Sequence, residues 1–370
     1  MKRLPEEDPY SATRGQSFPM ERIDRVDPET GLLVRQVTSA PTVSRHMHYE
    51  TPTFTPDGEG MIFVSMRVAG RGSPWDLFTC RSDGNEIVQL SGGSRRGMSN
   101  ACLSVDGHYA YYMEDGSFHR TRLDSAEDDE VGRMDDANHY EYYRGARSWD
   151  DRWYISMVRT GNGSVALVRW DVETGEHVVI VEADKFNHPK PSPGGPEFQV
   201  SAKYRLPDGG LRVVPMCIDV GTLEKIDLEF NSGGFEIGHN CWLGGSGDYQ
   251  ATLREPYHGI IVMRRDGGEP ERVAEGPYFW HSGASLDGRW IVADTSYPDE
   301  GIWLINVSTR RRELLCFAGA SQGNHQWTHP HPNLSDDGSM VVFTSDASGI
   351  SQVHVVYIPD DLRERLSGTP

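Results

Sequence analysis

Ser285-Leu286-Asp287-Gly288 decides the fold, because it is a tight Asp-Gly turn followed at once by the strand-forming run Trp290-Ile291-Val292-Ala293. The same signal recurs at Phe54-Thr55-Pro56-Asp57-Gly58, Leu103-Ser104-Val105-Asp106-Gly107, Ser148-Trp149-Asp150-Asp151 and Ser335-Asp336-Asp337-Gly338. Weaker copies stand at Pro193-Gly194-Gly195 and between Leu243 and Gly247. With Gly58, Gly107, Asp151, Gly195, Gly247, Gly288 and Gly338 as markers, successive turns lie 41 to 52 residues apart, which is the period of propeller blades. Each interval holds a second turn between two further strand-like runs, as in Asp76–Leu90, Ser117–Met134 and Ile302–Phe317. The reading is all-β: a seven-bladed propeller of four-stranded antiparallel blades.

The last unit stops near Pro359 without a return strand, whereas Ile23 to Val37 forms a spare hairpin pattern before the first marker. An N-terminal strand is therefore expected to close the ring, which leaves only short protected edges. The expected organisation is an arm over residues 1–22, one propeller over 23–360 and a solvated tail over 361–370. The chain's 370 residues exceed the size of one ordinary core, but a ring evades that limit because each blade buries its faces against its neighbours.

A formal net charge of −19 argues against nucleic acid as partner, and no apolar run is long enough to span a membrane. Acidic residues follow Met1 closely and no hydrophobic segment resembles a signal peptide, while the five cysteines lack metal-ligand pairing. These features lead us to expect a cytoplasmic protein with reduced thiols. They leave its oligomeric state open.

Function enters where the units are aligned on their markers. Seven residues earlier stand Thr51, Asn100, Arg144, His188, Asn240, His281 and His331, all polar where a buried inner strand begins. His239 lies one residue off this position in the irregular fifth unit. In Gln326-Trp327-Thr328-His329-Pro330-His331, proline favours extended backbone before it, so His329 and His331 at i and i+2 project to one side. Two imidazoles with an oxygen donor nearby suit a borderline divalent cation.

The run from His325 to Pro332, followed by Val342 to Asp346, resembles the C-terminal signature of the oligogalacturonate lyases of polysaccharide lyase family 22. Further similarities are Phe54 to Gly58, Gly72 to Trp75, Asn187-His188-Pro189, Gly238 to Trp242, and His281 before Gly283. The resemblance implies a seven-bladed propeller with a manganese-type ion held by His281, Gln326, His329 and His331. It implies β-elimination on short acidic oligosaccharides, with His239 as the base. The family's fourth-blade arginine is loosely matched by Arg212, and Asn240 stands where the family carries Glu. Arg144, His188 and Asn240 are the expected substrate contacts, with Arg144 and Arg212 the guanidinium choices for a uronate carboxylate. Two other readings share the pattern: a non-catalytic TolB-like scaffold and a metal-dependent hydrolase.

Overall fold

The computed structural model describes residues 14–67, 74–92, 97–135, 144–187, 189–226, 230–295, 298–323 and 326–368. Seven antiparallel sheets follow one another along the chain as seven blades. Each marker turn joins the inner strand of a blade to its second strand, as where Phe279–Ala284 pairs with Trp290–Thr295 in the sixth blade. The glycine markers of the clear repeats take the left-handed conformation that the turn requires, with φ of 72° at Gly58 and Gly107, 70° at Gly288 and 68° at Gly338. Asp151 fills that role in the third blade at φ 61°.

Ring closure follows the expected route and adds to it. Leu33–Gln36 pairs with Gln352–Tyr357 as the fourth strand of the last blade, and Ile23–Val26 adds a fifth. Residues outside the expected ring boundaries are bound to it. Ser17–Phe18 pairs with Ile87–Gln89 on the outer edge of the first blade. Asp360–Ser367 forms a helix that buries Leu362 and Leu366, one turn apart, in the core cluster of the sixth and seventh blades. The charge pattern suggested a solvated tail, but this i, i+4 apolar pair anchors it.

The core is a series of clusters between neighbouring blades rather than one centre. Trp290, Val292 and Leu304 of the sixth blade meet Val341, Phe343 and Val356 of the seventh. Phe63 and Phe78 of the first meet Val342 and Val355 of the seventh. Full burial of such side chains stabilises the fold by roughly 1.5–3 kcal/mol each. The fifth blade meets the sixth through Ile260, Val262 and Ile291, while on its other face Trp242, Tyr249 and Ile261 pack on its own Phe230, Phe235 and Ile237. Among the described residues no helix is long and apolar enough to cross a membrane.

Candidate metal centre

The inner strands lose their regular pairing where the aligned polar positions lie. Register shifts fall between Ile237 and Asn240 in the fifth blade and between Phe279 and Ser282 in the sixth. Such bulges re-aim side chains, and here they carry His239 and His281. In the seventh blade His331 sits at φ 48°, held in that costly conformation from both sides. Its backbone N–H donates to Asp294 Oδ2 (3.0 Å), and its carbonyl accepts from His46 Nε2 (2.7 Å).

The candidate ligating atoms of His281, His329 and His331 all lie within 4.8 Å of one another. The ring centroids of His281 and His331 are 4.0 Å apart, and His329 lies 5.6 Å and 5.5 Å from them. Asp294, fully buried, accepts from the backbone N–H of His281 (2.7 Å) and from its Nδ1 (2.9 Å). A proton on Nδ1 leaves Nε2 of His281 as a lone-pair donor, the carboxylate–histidine arrangement common behind metal sites. Burial raises the Asp294 carboxyl to about 7. His329 Nδ1 is buried with no hydrogen-bond partner among the described residues, and burial holds His331 well below the ordinary histidine value. Three imidazoles, one oriented by a carboxylate and one with an orphaned nitrogen, fit a divalent ion of the borderline class.

His239 flanks this triad, 4.4 Å from the His281 ring and 5.1 Å from Trp280. Burial and the neighbouring His281 lower its pKa to about 3. The ring is thereby kept neutral, with one nitrogen as a proton acceptor.

The remaining expected residues are dispersed. Gln326 is exposed at the start of the short helical turn Gln326–Thr328, with its carbonyl bound by Arg45 Nη2 (2.9 Å). Arg212 is exposed on the long hairpin Glu197–Arg205/Leu211–Asp219, opposite Tyr204. That hairpin turns at the end of the blade where the inner strands begin, which is the end carrying the histidines. Arg144 is buried beside Glu50 (4.0 Å), and the Asn240 carboxamide oxygen accepts from Lys190 Nζ. His188 lies outside the described residues.

In the first blade the alignment on markers picked Thr51 and missed the residues just before it. Between the pairs His46↔Phe63 and Phe54↔Met61 the inner strand carries seven residues against one on its partner. This insertion, around Met47 to Pro52, pushes His48, Tyr49 and Glu50 into the channel. His48 lies 4.4 Å from the His331 ring and Tyr49 lies 5.4 Å from His281. Glu50 reaches across to Lys190 of the fourth blade (3.4 Å) as well as to Arg144. The signal was the dense polar run His46-Met47-His48-Tyr49-Glu50, which stands directly before the aligned Thr51.

No family model matches the chain. It is 21% identical over 384 residues to an oligogalacturonate lyase of Dickeya dadantii, covering 91% of this chain and 96% of that protein. It is also 21% identical over 394 residues to an oligogalacturonide lyase of Pectobacterium atrosepticum, covering 94% and 99%. This chain is similar to oligogalacturonate lyases. A solved structure of an oligogalacturonate lyase in complex with manganese shares its fold, with a TM-score of 0.75 at 20% identity, covering 95% of this chain and 99% of that one.

Proposed function

We propose that the protein is a divalent-metal-dependent lyase that cleaves short 4-linked oligogalacturonides, or related oligouronides, by β-elimination. The observation that carries this reading is the triad His281, His329 and His331, with a fourth histidine, His239, against its edge. The triad would hold the ion, of the manganese type named for the similar structure, with Gln326 on the rim as its further donor. Such an ion supplies positive charge to the uronate carboxylate and so makes the adjacent C5 proton acidic. His239 then accepts that proton through its unprotonated ring nitrogen, and the 4-linked sugar leaves. Arg212, exposed on the fourth-blade hairpin, is our choice of guanidinium for a substrate carboxylate, because Arg144 is turned to Glu50.

The test is one of metal and turnover together. Purified protein should carry about one divalent ion per chain, and the double substitution His329→Ala/His331→Ala should remove both the ion and the ultraviolet absorbance of unsaturated product from digalacturonate. Full turnover by the metal-free double variant would overturn the assignment. Metal retention with reducing ends released but no unsaturated product would favour the hydrolase reading. Because the blades pack without the ion, we expect chelation to cost activity rather than folding.

A further inference from the structure

Below the histidines the channel continues as a separate chamber. Tyr49 and Glu50 form its roof, and the cavity is about 180 Å³, with none of the described histidines in its walls. At about 30 Å³ per water that is room for roughly six waters, or for a single sugar ring. At least one residue from each of the seven marker turns lines it, among them Val105, Trp149, Leu286 and Asp336. Val105, Trp149 and Leu286 are exposed large apolar side chains, so a hydrophobic rim with one indole surrounds the lower mouth.

The polar groups in this chamber are unevenly satisfied. In five turns a Ser or Thr hydroxyl donates to the Asp two residues later, as in Ser104–Asp106 and Ser285–Asp287 (both 2.6 Å). The fourth blade has Gly194 at that place, and a Cβ there would meet the carbonyl oxygen of Gly245 at 2.3 Å, so an aspartate cannot fit. The Ser192 hydroxyl is left buried with no partner among the described residues, and it lines the chamber. Asn333 Oδ1, also in the wall and more than nine-tenths buried, is likewise without a donor, because its amide nitrogen is committed to the Tyr49 carbonyl (3.2 Å). The cations present are already engaged: Lys190 by Glu50 and Asn240, and Arg147 by the carbonyls of Leu103 and Ser148. What remains is a set of acceptors, Asn333 Oδ1 and the Asp336 carboxylate, with one hydroxyl. Acceptors of this kind repel an anion and seek a donor.

We propose that the lower chamber is a second carbohydrate site, which takes one neutral pyranose ring. The ring's hydroxyls donate to Asn333 and Asp336 and exchange a bond with Ser192, while its apolar face lies on Trp149 at the mouth. A small pocket with a few convergent polar groups and an aromatic wall has the form of a ligand site. The inference goes beyond the lyase reading and does not rest on it, since the metal-centre histidines take no part.

Titration calorimetry on the full-length, metal-loaded protein tests it with D-galactose as the probe and D-galacturonate as the charged comparison. We expect saturable galactose binding, roughly millimolar for so small a ligand, with galacturonate weaker. Trp149→Ala should weaken it tenfold or more and Ser192→Ala several-fold. Neither change removes a hydrogen bond from the fold, so both variants should be native by circular dichroism. Binding should persist in His329→Ala/His331→Ala. Absence of saturable binding, meaning a water-filled chamber only, would overturn the proposal. So would binding that is unchanged by Trp149→Ala, tighter for galacturonate, or lost with the metal ligands.

Discussion

At the lower end of the inner strands one turn is repeated almost atom for atom, whereas at the upper end regular pairing breaks in more than one way. In blades one, two, six and seven the marker glycine N–H donates to the Ser or Thr carbonyl three residues earlier at 2.8–3.2 Å, and the hydroxyl bonds the Asp at 2.6–2.7 Å. The upper ends carry a six-residue insertion in blade one, register shifts in blades two, five and six, and a left-handed histidine in blade seven. Local, self-sufficient turns set the ring. Departures from regular pairing, pinned by bonds between blades, build the site.

If this division holds, changes at the upper end strike activity first. His239→Ala should lower kcat by roughly 10²-fold or more, the usual scale of a lost general base. Metal content measured on the same preparation should stay near wild type. Loss of the metal would make His239 a ligand, and retained turnover would move the base elsewhere.

Asp294 binds one ring nitrogen and two backbone N–H groups across the sixth and seventh blades. Asp294→Asn keeps the shape but weakens both the backbone acceptors and the hold on the His281 tautomer. A loss of about 10–100-fold in metal affinity is expected, read by competition with a chelator. An unchanged affinity would mean that His281 is oriented by packing alone.

The two ends should also differ in acid. His46 is fully buried between Thr344 Oγ1 (2.8 Å) and the His331 carbonyl, and burial lowers its pKa to about 3. The unfolded chain binds a proton near pH 6.5, so the stability His46 contributes is complete above that pH and falls as pH drops toward 3. Turn carboxylates such as Asp57 and Asp106 are held below the usual carboxylate value, so their contribution is lost only at lower pH. The stability gap between wild type and His46→Gln, taken from urea midpoints, should shrink by up to about 1.4 kcal/mol per pH unit below pH 6. A constant gap would show that His46 takes up its proton without unfolding.

The same contrast explains what was legible in the sequence. The turns were readable because Asp-Gly chemistry is local, and even Asp151 was found in the left-handed place. His281, His329 and His331 were readable because they sit at a fixed distance from those turns or beside a proline. Asp294 was missed because it lies in the middle of a second strand, Trp290–Thr295, where the sequence gives no sign that it faces two neighbouring loops. Glu50 and Tyr49 were missed because an insertion breaks the count, and whether an inserted segment enters the channel depends on partners such as Lys190, far away in sequence. Bulges are tertiary decisions.

The smallest effect is expected where the repeat is strongest. Asp106 accepts from Ser104 Oγ (2.6 Å) and from the His108 N–H (2.9 Å) at an exposed turn. Asp106→Ala removes two bonds that water replaces in part, so it should cost about 1 kcal/mol or less and leave lyase turnover and metal content untouched. Asp106→Asn, which keeps an acceptor, should recover most of the loss. The fourth blade shows why the penalty stays small: with Gly194 in the aspartate's place its sheet still forms, and Lys190–Pro191 still pairs with Glu197–Arg205. If Asp106→Ala instead unfolded the ring or emptied the metal site, the turns would not be independent units, and the separation between the two ends of the channel would fail.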